Sequence, residues 1–161
     1  MATVFLSLGS NIDKEVNIQA GIDALEQHFG KVICSTVYES ESVGFDGDNF
    51  YNLVVQLETD ETVDSVVTTL KQIEDEHGRT RSGPRFSSRT LDIDILLYDD
   101  LIRDDELLSV PRDEILKNAF VLKPLAELAG EIRHPQTGDS YADLWRRFDQ
   151  SSQPLWPISM K

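Results

Sequence analysis

Cysteine is nearly absent from these 161 residues: there is one, Cys34. A single thiol excludes an internal disulfide framework and fits a reducing compartment. It lies in the apolar run Val32-Ile33-Cys34, where a small core residue is expected. Long apolar runs are missing as well. No segment approaches about eighteen apolar residues, so no membrane-spanning helix is expected. The N-terminus lacks the basic start and apolar stretch of a signal peptide. Positive charge is scarce, with 15 Lys and Arg against 29 Asp and Glu and a formal net charge of −14. That balance disfavours duplex nucleic acid, whose binding depends on neutralising phosphates with cationic side chains. A Gly-x-x-x-x-Gly-Lys-[Ser/Thr] loop is also lacking, which argues against an ordinary P-loop kinase. What these absences leave is a single cytosolic domain, residues 1–161, long enough to bury a core without staples.

Against this acidic background one stretch stands out. Arg79, Arg81, Arg85 and Arg89 fall within eleven residues, in a loop that also holds Gly83 and Pro84. Arginine is the side chain best suited to bidentate phosphate recognition. The loop runs into Leu91-Asp92-Ile93-Asp94-Ile95-Leu96-Leu97-Tyr98, which alternates like a strand. With Leu91, Ile93 and Ile95 on one face, Asp92 and Asp94 share the other. The Leu and Ile content predicts a central strand. Two neighbouring carboxylates there are costly unless a cation sits between them. Mg²⁺ is commonly held by one or two carboxylates, with waters and phosphate oxygens completing its shell. By itself an Asp pair is also what a solvated strand face looks like. Joined to the arginine loop at this spacing, it reads as a site for Mg²⁺ and a polyphosphate.

The rest of the chain supplies a frame for that site. Ala2–Leu8 reads as a strand closed by Gly9-Ser10-Asn11. Ile18, Ile22, Leu25 and Phe29 recur at helical spacing, and Gly30 stands at the C-cap. Lys31–Tyr38 reads as a second strand. The polar segment Glu39–Asn49 has neither period and is long enough to suggest function. Phe50–Glu58 is a third strand with Leu53, Val55 and Leu57 on one face. Val63, Val66, Val67, Leu70 and Ile73 mark a second helix with Asp60 as expected N-cap, ending near His77-Gly78. Asp99-Asp100 reads as a turn into a pairing segment at Leu101-Ile102. Pro111 opens a helical region containing Ile115, Phe120, Val121, Leu125 and Leu128. Pro124 either kinks that helix or sits in its first turn. A small strand and a helical turn around Trp145 are expected between His134 and Phe148, followed by a loosely packed tail over 150–161. The order β-α-β-β-α-β, with no helix between strands two and three, predicts an α+β sandwich of ferredoxin-like type with helices on one face, extended by a C-terminal strand and helix.

Arg85-Phe86-Ser87-Ser88-Arg89-Thr90-Leu91-Asp92-Ile93-Asp94-Ile95-Leu96 resembles the signature of the 6-hydroxymethyl-7,8-dihydropterin pyrophosphokinase family of the folate pathway. Leu8-Gly9-Ser10-Asn11, Phe50-Tyr51-Asn52, Ile73-Glu74 with Gly78-Arg79, Val110-Pro111, Ala119 to Leu125 and His134-Pro135 match in order along nearly the whole chain. The resemblance implies transfer of the β,γ-pyrophosphoryl group of ATP to the pterin hydroxymethyl group, with two Mg²⁺ ions and release of AMP. It implies that Asp92 and Asp94 hold the metals and that Arg79 and Arg89 contact the phosphates, with Arg81 and Arg85 in the loop closing over them. Phe50 and Phe120 would sandwich the pterin, Asn52 would hydrogen-bond it, and backbone groups of Ser40 and Val43 would meet its edge. Glu74, Ile95 and Arg112 would lie on the nucleotide side.

Elementary chemistry agrees with those roles. Two aromatic faces hold a flat heteroaromatic ring well, and an Asn offers the donor and acceptor that an amino-pyrimidinone edge requires. Phosphoryl-type transfer asks for positioning and charge neutralisation above all. The sequence departs from the family pattern at Arg112 (usually His), Asn118 (often Arg), Phe86 (often Trp) and Glu41-Ser42 (commonly proline-containing). The expected protein is a monomer that binds ATP and a pterin, with no nucleic-acid or membrane partner. The alternative is a non-catalytic ferredoxin-like ligand-binding or regulatory module.

Overall fold

The computed structural model describes residues 1–41, 49–77 and 91–160. Its centre is β1 (Ala2–Ser10), which pairs antiparallel with β4 (Phe50–Thr59) on one side and β5 (Asp92–Tyr98) on the other. The six-stranded sheet runs β5-β1-β4-β3-β8, with β3 spanning Val37–Ser40 and β8 Leu155–Ile158; β2 (Ile33–Cys34) also pairs with β4. Every pairing is antiparallel. The first four of these strands in spatial order, β5-β1-β4-β3, are the ferredoxin-like arrangement that a split β-α-β-β-α-β chain produces.

The pleat sorts apolar residues between two cores. Leu6, Leu8, Leu53, Val55, Ile93 and Ile95 point to one face, where α1 (Lys14–Phe29) packs Ile18 and Leu25 and α2 (Val63–Glu76) packs Val66, Leu70 and Ile73. Phe5, Val54 and Leu97 point to the other, under α3 (Ala119–Ala129) and α4 (Tyr141–Arg147), with Ile115 of the 3-10 turn Asp113–Leu116. Helices therefore cover both faces, not one. The C-terminal elements add a second layer because the reverse face of the sheet is itself apolar.

Local chemistry shifts several expected boundaries. Lys31–Tyr38 is not one strand: the chain breaks at Ser35, whose hydroxyl accepts the Val54 N–H at 2.9 Å while its own N–H donates to the Val54 carbonyl. Cys34 is exposed on the two-residue strand β2, which pairs with β4 off the main path of the sheet. The cap of α2 is Thr62, which accepts from Ser65 N, and not Asp60. The segment that pairs after the Asp99-Asp100 turn is β6 (Arg103–Asp104) with β7 (Ser109–Val110), and not Leu101-Ile102. Pro124 lies inside α3, past its first turn. The closing segment, expected to be loose, contributes β8 to the sheet edge against β3, although Trp156 stays exposed.

β5 is an edge strand and not a central one. Its Leu and Ile content reflects cover on both faces: Ile93 and Ile95 in one core, Leu96 and Leu97 in the other. Its outer backbone groups are met by non-strand partners. Ile93 N–H donates to Glu74 Oε2 at 2.8 Å, and the Leu96 carbonyl accepts Arg112 N–H at 3.0 Å.

The reassigned cap is open to test. Thr62→Ala should lower unfolding stability by about 1 kcal/mol in urea melts. Asp60→Ala, which removes only an exposed pair with the N-terminal amine, should stay within roughly 0.5 kcal/mol of wild type. The reverse ranking would restore Asp60 as the cap.

Candidate active site

The antiparallel register sets one transverse row across the sheet. Tyr38 lies opposite Asn52, Asn52 opposite Gly9, and Gly9 opposite Asp92. Residues in register across neighbouring strands project to the same face. Asn52 and Asp92 therefore share a face, two strand spacings or roughly 10 Å apart, with only a glycine between them. Asp94 and Phe50 lie two residues along their strands from that row, and Ser40 pairs with Phe50. All of them project to the side covered by α3, and the sheet end near Gly9 is where the two half-sites meet.

Gly9 has a specific reason to lack a side chain. A Cβ there would fall 2.7 Å from Asn52 Oδ1. Asn52 is buried, and its amide lies 3.5 Å from the Ser40 hydroxyl, so it has little freedom to move aside. A glycine inside a strand commonly marks such a close approach.

The side that carries Phe50, Asn52 and Phe120 is built by β3, β4 and α3. Phe50 is half-buried at the start of β4, and Phe120 is half-buried in the first turn of α3, packed against the second core. A cavity of about 330 Å³ opens between Ser40, Phe120, Asn118 and Leu155. Glu127 ties α3 to β3: its carboxylate accepts from Thr36 N–H at 2.7 Å and from Tyr38 O–H at 2.9 Å. Burial, reinforced by that carboxylate, pushes the Tyr38 phenol up to about 12, so it remains a donor.

The carboxylate side is built by β5 with support from α2 and the 3-10 turn. Asp92 and Asp94 are both half-buried. Arg112 Nη2 lies 3.7 Å from Asp94 Oδ2, and the same guanidinium donates to Glu114 Oε1 at 2.8 and 3.0 Å. Burial works to lower the Arg112 pKa, but the Asp94 and Glu114 charges outweigh it and hold the cation in place. Glu74 is buried on α2, where it fixes the backbone between the two aspartates through Ile93 N–H. The Ile95 side chain points into the opposite core, away from the carboxylates. The structure therefore brings Ser40, Phe50, Asn52, Phe120, Asp92, Asp94 and Arg112 to one region, sets Glu74 behind it, and turns the Ile95 side chain away. Val43, Arg79, Arg81, Arg85 and Arg89 lie outside the described residues.

Two contributors escaped the sequence reading. Gly9 was read as the close of a strand and as part of the matching Leu8-Gly9-Ser10-Asn11 turn, with no role of its own, although its place before a polar turn was a legible signal. Gln153, whose amide reaches the start of α3, carried none.

Comparison with known proteins follows the same outline. Residues 5–130 match the family model described as 7,8-dihydro-6-hydroxymethylpterin-pyrophosphokinase (HPPK). The chain is 37% identical over 137 residues to a 2-amino-4-hydroxy-6-hydroxymethyldihydropteridine pyrophosphokinase of Aquifex aeolicus, covering 84% of this chain and 85% of that protein. It is 34% identical over 167 residues to the folic acid synthesis protein fol1 of Pneumocystis carinii, covering 98% of this chain but only 22% of that longer protein. A crystal structure of Plasmodium falciparum HPPK-DHPS with pterin and p-hydroxybenzoate superposes with a TM-score of 0.73 at 16% identity, over 91% of this chain and 43% of that one, a likeness of fold. This chain belongs to the 7,8-dihydro-6-hydroxymethylpterin-pyrophosphokinase family.

Proposed function

We propose that this chain transfers the β,γ-pyrophosphoryl group of ATP to the hydroxymethyl oxygen of 6-hydroxymethyl-7,8-dihydropterin and releases AMP, in folate biosynthesis. The observation that carries the reading is the shared face: an amide with two nearby aromatic rings on β4 and α3, and a carboxylate pair on β5, separated by the bare backbone of Gly9. A ring held by Asn52 between Phe50 and Phe120 would extend its substituent along the sheet toward β5. The hydroxyl oxygen bonds to the β-phosphorus, the bond from that phosphorus to the α,β-bridging oxygen breaks, and the hydroxyl proton is released.

The donor set suits Mg²⁺. Asp92 and Asp94 are hard oxygen ligands on one face of an edge strand, each with part of its surface open for phosphate and water to complete the shell. Bound there with ATP, two such ions would neutralise charge around the β-phosphorus. The protein's own task is to hold position. Glu74 fixes the strand between the carboxylates, and Arg112 steadies Asp94 and adds a permanent cation to the nucleotide side. Arg79, Arg81, Arg85 and Arg89, on the strength of the sequence, hold the departing β,γ unit. The reading takes the enzyme as a cytoplasmic monomer; among the described residues no helix is long and apolar enough to cross a membrane.

Asp92→Ala and Asp94→Ala should each reduce turnover by about 10²-fold or more, equivalent to roughly 3 kcal/mol of transition-state stabilisation. Pterin affinity, measured by fluorescence titration, should fall far less. Near-normal turnover in both variants would remove the metal assignment. The reaction itself is tested by separating nucleotides chromatographically after incubation. AMP should appear only when the hydroxymethyl dihydropterin and Mg²⁺ are both present. ADP as the main product would mean attack at the γ-phosphorus, and binding without turnover would favour a regulatory module.

A further inference from the structure

We propose that Gln153, on the C-terminal segment beyond the residues that the family model matches, is a positioning residue for the ring-binding side of the site. The inference rests on the pterin-binding reading above and assigns to that site a wall and a clamp. The matched region ends at residue 130, yet the chain returns to the site after it. β8 pairs with β3 so that Leu155 lies opposite Ser40. Immediately before β8, the segment crosses the 330 Å³ cavity, contributing Gln153 and Leu155 to a wall whose other members include Ser40, Ala119 and Phe120.

The clamp is a matter of unsatisfied backbone groups. The first N–H groups of a helix have no partner within it. At the start of α3 the usual solution is not used: Asn118 makes no side-chain cap, and its amide instead reaches Glu114 at 3.4 Å. Gln153 supplies the missing partner from outside the helix. Its Oε1 accepts Ala119 N–H at 2.8 Å, and its Nε2 donates to the Lys117 carbonyl at 2.8 Å. One side-chain amide thus uses its acceptor and its donor to grip the backbone on both sides of Asn118. The next residue after the gripped pair is Phe120. Gln153 acts by holding the helix start that carries the Phe120 ring, while β8 holds Ser40 on the opposite wall.

A purely structural role and a positioning role separate in a ligand split. In the full chain, Gln153→Ala should weaken binding of 6-hydroxymethylpterin roughly tenfold by fluorescence titration. Binding of a non-hydrolysable Mg²⁺-ATP analogue should be unchanged. Gln153→Glu keeps the acceptor for Ala119 N–H and loses the donor to Lys117, so its pterin affinity should fall between the two. Unchanged pterin affinity in Gln153→Ala, or equal loss for pterin and nucleotide, would overturn the proposal. If Gln153→Ala does not fold, the same split measured on Gln153→Glu decides it. Wild-type protein that binds no pterin would overturn the functional reading together with this one, whereas wild-type binding with an unaltered variant overturns the positioning role alone.

Discussion

The site depends on the register of β1 between its two neighbours. Gly9 lies opposite Asn52 on β4 and opposite Asp92 on β5. In a pleated sheet, a slip of one residue exchanges the two faces of a strand. Such a slip of β5 would drive Asp92 and Asp94 into the core occupied by Ile93 and Ile95, at the cost of two buried carboxylates. The alternation of Leu and Ile with Asp therefore enforces its own register. The Asn52 amide and the Asp92 and Asp94 carboxylates are held in relation because both are in register with the same central strand.

An edge strand is an unusual place for so demanding a site, since its outer backbone groups have no strand to pair with. Here those groups are closed from two directions. Glu74 reaches from α2 to Ile93 N–H, and Arg112 N–H meets the Leu96 carbonyl while its guanidinium approaches Asp94. The strand beneath the carboxylates is fixed, as catalysis by positioning requires. The same logic applies across the sheet, where Glu127 and Gln153 tie α3 to β3 and to the C-terminal segment.

Much of this was legible in the sequence, for identifiable reasons. Period-two and period-3.6 patterns located β1, α1, β4, α2 and β5, because each buries one apolar face or stripe. That Asp92 and Asp94 share one face of a strand was legible because side chains alternate along it, with Ile93 and Ile95 taking the other face. Features that depend on contacts distant in sequence were not. That β5 lies at an edge and that Cys34 is exposed follow from which elements cover which, and local composition is silent on that; the choice of Thr62 over Asp60 as the α2 cap is local, set by the Ser65 N–H three residues on. Ile95 was grouped with the nucleotide contacts by resemblance; its side chain belongs to the opposite core by parity, so only its backbone lies toward the carboxylate side. The tail's prolines suggested a loose end; they did not reveal that Leu155 would find Ser40 across the sheet.

The central claim is that one face of one sheet presents both the ring cradle and the metal-binding pair. A crystal structure of the chain with Mg²⁺, a non-hydrolysable ATP analogue and 6-hydroxymethylpterin tests it most directly. The account predicts metal density at Asp92 and Asp94, the pterin ring between Phe50 and Phe120 with its edge on Asn52, and the hydroxymethyl group directed past Gly9 toward the β-phosphate. Pterin or metal bound on the α1–α2 side of the sheet, or a pterin whose hydroxymethyl group points away from β5, would contradict it.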